Sequence, residues 1–277
     1  MPNRGFLLML PAFAMLALVF LAPLAWFFTQ TLVLDNDLST LWSKIVVVVS
    51  SRAALQAIGA TNWISLLVTV TVLLLGYPIA YYLANRHGLR FTLVVFCIVV
   101  PYFTSVIVRT YSWMVLLGRT GLINQLLLGT GIIDAPLPLI YNKTGIVIGM
   151  TYVLLPYMVL TLFAAMKSID RNLLLAARGM GAGGTMIFWR IYLPLSLHGV
   201  ISGALIVFIL SIGFFITPAL MGGPSDVMVA MLIERSVEIT LDWPAAAVMS
   251  LLLLAVTLVL YAIYYRVTDV RRLMGAA

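Results

Sequence analysis

Charged residues are scarce in this chain of 277 residues, of which 9% carry a formal charge and 63% are hydrophobic. A typical soluble domain is about 25% charged, and so few charges cannot cover the surface of a water-soluble protein of this length. The composition therefore excludes a soluble enzyme, a nucleic-acid-binding domain and a disordered chain. Cysteine is scarcer still: Cys97 is the single one, which excludes a disulfide framework and a zinc site built on cysteines.

The charges that are present leave six neutral intervals of 18 residues or more. About 20 apolar residues in a helix cross the roughly 30 Å hydrocarbon core of a bilayer. Lipid cannot pair free backbone groups, and long uniform apolar runs are unlike the alternating strands of a barrel. The sequence therefore predicts an all-α integral membrane protein, a single transmembrane domain over residues 1–277. Its six predicted spans lie near 6–28, 64–84, 91–113, 145–166, 199–221 and 245–265.

The first span is predicted to stay in the membrane rather than to be cleaved as a signal peptide. Its apolar run exceeds 20 residues, whereas the apolar region of a signal peptide has about 7–15. Six retained spans place both termini on the same side of the membrane.

Basic residues are distributed unevenly between the two sets of loops that six spans create. The set that includes both termini holds ten of the 16 Lys and Arg residues but only two of the nine Asp and Glu residues. These ten bases are Arg4, Arg86, Arg90, Lys167, Arg171, Arg178, Arg190, Arg266, Arg271 and Arg272. The positive-inside rule places this set in the cytoplasm, so the net charge of +7 is interpreted as topology rather than as affinity for nucleic acid.

The longest predicted cytoplasmic loop covers residues 167–198. Asp170 is predicted to cap a helix of about two turns over 171–178, which the following glycines end. A second short helix is predicted over 185–192, and Pro194 is predicted to stop it. From these residues alone the loop is either a connector with its apolar face on lipid headgroups or a docking element for another protein.

The spacing in this loop resembles the cytoplasmic signature of permease subunits of binding-protein-dependent ABC importers. Ala176-Ala177 are followed by three residues and Gly181, then by nine residues and Ile191-x-Leu193-Pro194. Leu175 stands where the family has glutamate, so the resemblance implies one polar contact fewer to the ATPase. The stretches 109–113, 121–124 and 217–224 further resemble the spermidine/putrescine-type branch of that family.

The resemblance implies a type I importer permease (MetI-like) fold in the bacterial inner membrane, with both termini cytoplasmic. It further implies a second permease subunit, a paralogue by family habit, a cytoplasmic ABC ATPase dimer and a periplasmic solute-binding protein. This chain would be non-catalytic and without a cofactor or metal of its own, and ATP and Mg would bind to the ATPase. The absence of a G-x-x-x-x-G-K motif agrees. The residues that would dock on the ATPase are Ala176, Ala177, Gly181, Ile191, Leu193 and Pro194.

Candidate pathway residues lie near prolines in or at the ends of four spans, since proline frees helix carbonyls that can line a cavity. Arg109, near the outer end of the third span, is either an interfacial anchor or a contact to solute or binding protein. The candidates are Arg109, Tyr102, Tyr152, Tyr157, Phe214 and Thr217.

The solute is left open at this point. The branch resemblance suggests a polyamine-like cation, but no carboxylate lies within a predicted span, so opines, amino-acid derivatives and other small organic solutes remain candidates. The alternative class is an ion-coupled secondary transporter, which would need an intramembrane carboxylate or histidine relay. An intramembrane enzyme would need clustered His, Asp or Ser residues, which the spans lack.

Overall fold

The computed structural model describes residues 11–31, 42–43, 45–47 and 50–268, with side chains up to residue 262. Every regular element in the described part of the chain is a helix. The beginning of the predicted first span, residues 6–10, and the basic pair Arg271 and Arg272 lie outside it.

The described helices are numbered in chain order. They are α1 (Pro11–Thr29), α2 (Arg52–Asn85), α3 (Leu89–Val99), α4 (Val106–Leu117), α5 (Leu122–Gly129), α6 (Lys143–Lys167), α7 (Arg171–Gly179), α8 (Gly184–Ile212), α9 (Ile216–Met221), α10 (Val229–Glu238) and α11 (Trp243–Thr268). Five of these described helices, α1, α2, α6, α8 and α11, are long and apolar enough to cross a membrane. A sixth span results if α3 and the following α4–α5 stretch are taken together.

The third predicted span, 91–113, is not continuous as expected. α3 passes into a short 3-10 turn over Val100–Phe103, and the helix axis turns by 109° before Val106. Thr104 and Ser105 have extended backbone, with ψ of 151° and 136°. Pro101 at the start of the turn has no N–H to continue the helical ladder. Arg109 is therefore the fourth residue of α4 rather than a residue at the end of the predicted third span.

The fifth predicted span, 199–221, is displaced along the chain. α8 begins at Gly184, runs through Pro194 and ends at Ile212, so the prediction that Pro194 stops a short helix is wrong. The turn before it, Phe188–Tyr192, is π-helical, and the Leu193 N–H donates to the Phe188 carbonyl five residues back. This wider turn accommodates Pro194, which has no backbone N–H to donate.

The chain divides into two compact units. One consists of Met1–Leu55 with Leu232–Ala255, and the other of Gln56–Met231 with Val256–Ala277. Every residue named above as a candidate for docking or for the pathway belongs to the second unit.

The core of the second unit follows one face of α6. Ile146, Met150, Leu154, Met158 and Leu162 are buried at a spacing of four residues, which keeps them on the same side of a helix. α8 packs against α6 through two small residues, Gly199 and Gly203. An ideal Cβ on Gly203 would lie 2.7 Å from the Met158 Sδ, and one on Gly199 would overlap Ala165 Cβ. Small residues four apart allow membrane helices to approach this closely.

Candidate functional site

The loop helix α7 is defined at both ends by local hydrogen bonds. The Asp170 carboxylate accepts the Asn172 N–H at 2.9 Å, which confirms the predicted cap. At the other end the Ala182 N–H donates to the Ala177 carbonyl at 3.0 Å, and the Gly181 N–H to the Arg178 carbonyl at 2.9 Å. This pair of bonds is the Schellman motif, in which the residue after the cap adopts a left-handed conformation.

Gly181 occupies that left-handed position, with φ of +85°. An ideal Cβ at Gly181 would meet nothing within 4 Å. The backbone angle, rather than crowding, is therefore the reason for a glycine at the elbow between α7 and α8.

The inward face of the segment after the elbow rests on α2. Ile187 and Tyr192 are buried, and the rings of Phe188 and Tyr192 meet those of Tyr77 and Tyr81. The ring centroids are 6.1 Å apart for Tyr77 and Phe188, 5.7 Å for Tyr81 and Phe188, and 4.9 Å for Tyr81 and Tyr192. The apolar face of this segment thus packs on protein and not on lipid headgroups.

The outward face of the same segment exposes large apolar side chains around the elbow. Leu175 is 60% exposed, Met180 83% and Trp189 62%, and the cationic residues Arg178 and Arg190 are exposed among them. We name residues 170–192 the elbow segment. A surface with exposed aromatic and methionine side chains is typical of a protein contact.

The six signature residues divide between these two faces. Those open to solvent are Ala176, Gly181 and Pro194, and those wholly or partly packed inward are Ala177, Ile191 and Leu193.

An aromatic cluster lies at the break between α3 and α4. The Tyr157 hydroxyl of α6 donates to the Tyr102 hydroxyl at 3.1 Å, and the two ring centroids are 5.7 Å apart. The Phe103 ring lies 5.9 Å from that of Tyr102. Tyr102 is 45% exposed and Phe103 80%. We name Tyr102, Phe103 and Tyr157 the aromatic trio. Tyr102 and Tyr157, both predicted as pathway residues, are thus brought together by the fold.

Arg109 is buried on α4, with 8% of its surface exposed. Its Nε has no hydrogen-bond partner in the described part of the chain. An interfacial anchor extends its head group into water, so the burial of Arg109 favours the other interpretation, a contact to solute or binding protein, which stays a prediction.

The other predicted pathway residues make helix–helix contacts. Thr217 is fully buried, and its hydroxyl lies 3.2 Å from that of Thr110, joining α9 to α4. The Thr110 hydroxyl itself donates to the Val106 carbonyl at 2.9 Å, so Thr217 is the donor between the two threonines. The Tyr152 ring packs 5.4 Å from that of Trp113. Phe214 packs against the core that α6 shares with α2 and α8.

Asn124 is a structural residue that the sequence predictions did not identify as important. It is fully buried on α5. Its Nδ2 donates to the carbonyls of Gly118 and Leu137 at 3.0 and 3.1 Å, and its Oδ1 accepts the Leu137 N–H at 2.8 Å. The signal was an amide side chain three residues after a glycine, a residue type that can satisfy several backbone groups at once. Asn124 holds the loop between α4 and α6 in shape.

The model of the family described as binding-protein-dependent transport system inner membrane component matches residues 73–271. The spermidine/putrescine transport system permease protein PotB of Haemophilus influenzae is 35% identical over 198 residues, 72% of this chain and 69% of that protein. The molybdenum transport system permease protein ModB of Mycobacterium tuberculosis is 32% identical over 189 residues, 68% of this chain and 70% of that protein.

Two solved structures share the fold. A chain of the bacterial ABC transporter involved in the import of the acidic polysaccharide alginate superposes with a TM-score of 0.67 at 16% identity, over 95% of this chain and 94% of that chain. A chain of the MetNI methionine ABC transporter, in inward-facing conformations, superposes with a TM-score of 0.59 at 17% identity, over 79% of this chain and 98% of that chain. The predicted all-helical importer-permease fold is therefore confirmed.

Proposed function

Because this chain belongs to the family of inner membrane components of binding-protein-dependent transport systems, we propose that it forms part of the translocation pathway for a polyamine-type organic solute. It is a multi-pass permease subunit of an ABC importer, not an ion-coupled secondary transporter. Import would be driven by ATP hydrolysis in a separate subunit, and ATP and Mg would bind there.

The aromatic trio is the observation that supports a cationic solute. Ring faces attract ammonium groups by about 0.5–2 kcal/mol, more when the contact is shielded from water. Tyr102 and Phe103 present exposed rings at the break between α3 and α4, and the hydroxyl bond to Tyr157 orients the Tyr102 ring. The relatives named for spermidine and putrescine support the same class. Carboxylates for the ammonium groups would come from the second permease or from the binding protein.

The elbow segment supports contact with a cytoplasmic ATPase. It carries four of the six signature residues, with Leu193 and Pro194 directly after it, and it exposes Leu175, Met180 and Trp189. Its second half is the beginning of α8. The excess of basic residues in the loops on its side favours a cytoplasmic position for it and for both termini. The remaining partners would be a second permease subunit, a paralogue of this chain, and a periplasmic binding protein.

Uptake by the complete importer tests the solute class. Proteoliposomes that contain the permeases, the ATPase and the binding protein should import labelled spermidine or putrescine. Tyr102→Ala should lower uptake by about fivefold, which corresponds to the loss of one cation–π contact of about 1 kcal/mol.

The matched control is Phe96→Ala, since Phe96 also has an exposed ring, 61% accessible, but lies on α3 and outside the aromatic trio. Its uptake should stay at the wild-type level. Import of molybdate or of an amino acid in place of polyamines would contradict the proposed solute.

Co-isolation tests the partner. A tagged form of the full chain, purified from membranes in mild detergent, should bring down an ATPase with a P-loop. Its consistent absence under conditions that retain the second permease would contradict the proposed coupling.

A further inference from the structure

A small polar cavity lies where the end of α2, the end of α6 and the first turn of α7 meet. Its volume is about 60 Å³, and the residues that matter for its chemistry are Asn85, His87, Lys167, Arg171 and Tyr192. One water needs about 10–15 Å³ of such space, so the cavity admits a group of several heavy atoms. None of these five residues belongs to the aromatic trio or to the six signature residues.

The charge in this cavity is of one sign. Lys167 and Arg171 are cations, His87 adds an imidazole N–H, and no carboxylate lines the cavity. The carboxylate next in sequence, that of Asp170, is engaged with the Asn172 N–H at 2.9 Å. Lys167 stands in the last turn of α6, where the negative end of the helix dipole favours a cation, so Arg171 is the cation to which a bound anion would supply a counter-charge.

The position of Arg171 increases this imbalance. It is the first residue of α7, and the N-terminus of a helix carries the positive end of the helix dipole. A cation is disfavoured at that position, whereas an anion is favoured there.

Tyr192 contributes a buried hydroxyl to the wall of the cavity. The residue is 4% exposed, and its oxygen accepts from the Asn85 Nδ2 at 3.4 Å. Within the described residues no acceptor is recorded for the proton of this hydroxyl. Because the hydroxyl oxygen is the acceptor in that bond, its proton can donate to an acceptor oxygen of a ligand.

We propose that this cavity is a binding site for a phosphate-type oxyanion, held by Lys167, Arg171, His87 and the Tyr192 hydroxyl. An anion there would join α7, at the start of the elbow segment, to the ends of α2 and α6. The oxyanion is supplied either by the phosphate of a lipid headgroup in the adjacent leaflet or by free phosphate. This site lies apart from the aromatic trio and shares Arg171 and Tyr192 with the elbow segment.

The test measures the apparent Tm of the full-length chain in nanodiscs of phosphatidylcholine. One arm adds inorganic phosphate against sodium chloride of equal ionic strength, and the other replaces part of the lipid by phosphatidylglycerol. At least one arm should raise Tm by about 2–4 °C when the anion is about tenfold above its Kd. A response to phosphate identifies a free anion as ligand, and a response to phosphatidylglycerol alone identifies the lipid headgroup.

The variant Lys167→Gln/Arg171→Gln should lose most of that shift. Arg178→Gln, which removes a cation of the same helix outside the cavity, should keep it. Tyr192→Phe retains the ring and removes only the hydroxyl, so it should weaken the anion by about two- to tenfold in Kd; it also serves as the test if the double variant does not fold. An equal shift in the cavity variants and in Arg178→Gln, or no shift in either arm, would overturn the proposal.

Discussion

The contact between α6 and α8 and the elbow segment both depend on glycine, and they depend on it for different reasons. At the helix contact, Gly203 has no room for a side chain, because an ideal Cβ would lie 2.7 Å from the Met158 Sδ. In the elbow segment, Gly181 has open space around it and a backbone angle of +85°. Packing requires the first glycine and chain geometry requires the second.

This difference separates two kinds of failure in the same protein. A larger residue at Gly203 acts on the assembly of the membrane helices, so folding and transport are lost together. A larger residue at Gly181 acts on an exposed surface and leaves the buried face of α6 unchanged. Variants at the two positions therefore distinguish loss of the protein from loss of its coupling.

The largest effect is expected for Gly203→Leu. Overpacking a tight contact costs about 1–3 kcal/mol or more, and here the neighbours are the side chains of the buried Met158 and of Thr161. The amount of folded chain, measured by size-exclusion chromatography of detergent extracts, should fall severely. Gly59→Leu on α2 is the matched control, since an ideal Cβ at Gly59 meets nothing within 4 Å. A normal, monodisperse yield of Gly203→Leu would mean that α6 and α8 are not in close contact.

The next largest effect is expected for Gly181→Asp. The substitution places a carboxylate among exposed apolar side chains and imposes a left-handed conformation, which costs about 1 kcal/mol in most non-glycine residues. Uptake in proteoliposomes should fall about tenfold or more, while the amount of chain in the membrane stays the same.

Its control is Gly179→Asp, which adds the same carboxylate two residues earlier, where the backbone is helical. That variant should retain most of its uptake. If Gly181→Asp transported normally, the assignment of the elbow segment to ATPase coupling would fail.

A smaller effect is expected for Asp170→Ala, which removes the cap of α7. Loss of an N-cap costs about 1 kcal/mol, and a helix of nine residues is too short to be stable without support. Hydrogen exchange in α7 should accelerate about fivefold. Asn142→Ala removes the corresponding cap of α6, but packing holds that helix along its length, so exchange beyond its first turn should not change. Equal acceleration of hydrogen exchange in α6 and α7 would show that packing does not protect α6 more than α7.

The smallest effect is expected at the polar contact inside the packed region, between Thr110 and Thr217. One hydrogen bond contributes about 0.5–1.5 kcal/mol. A double-mutant cycle with Thr110→Val and Thr217→Val, measured by apparent Tm, should show a coupling of that size. Additive shifts would show that the 3.2 Å contact does not stabilise the junction of α4 with α9.

Local signals in the sequence predicted much of the elbow segment. Asp170 was identified as a cap and the glycines after Arg178 as the end of α7, because capping residues and glycine act within a few positions of where they stand. Long neutral intervals predicted the membrane helices for a similar reason, since the bilayer imposes one minimum length on every span.

Contacts between distant residues were not predictable in the same way. Thr110 and Thr217 are 107 positions apart, and Tyr102 and Tyr157 are 55 apart. Nothing in a single sequence pairs such residues. Arg109 is buried at the start of α4, after the 109° bend that follows α3, and the charge pattern contains no sign of that bend.

The positions of prolines did not predict where helices end. Pro194 was expected to end a helix, and α8 passes through it because the preceding π-turn shifts the hydrogen bonds by one residue. Pro101 lies in the 3-10 turn that follows α3, and the chain leaves the helical conformation directly after that turn, at Thr104 and Ser105. The same residue type thus has opposite outcomes, and the hydrogen bonding of its neighbours decides between them.

The continuity of α8 has a mechanical consequence. Its closest contact with α6, at Gly199 and Gly203, divides the helix into an arm of about 23 Å toward Gly184 and an arm of about 14 Å toward Ile212, at 1.5 Å per residue. Such a helix can tilt about that contact, so that its two ends move in opposite directions. If an ATPase pulled the elbow segment in one direction, the far end beside α9 would swing in the opposite direction over a shorter distance. Closure on one side of the membrane would then accompany movement of opposite sense on the other.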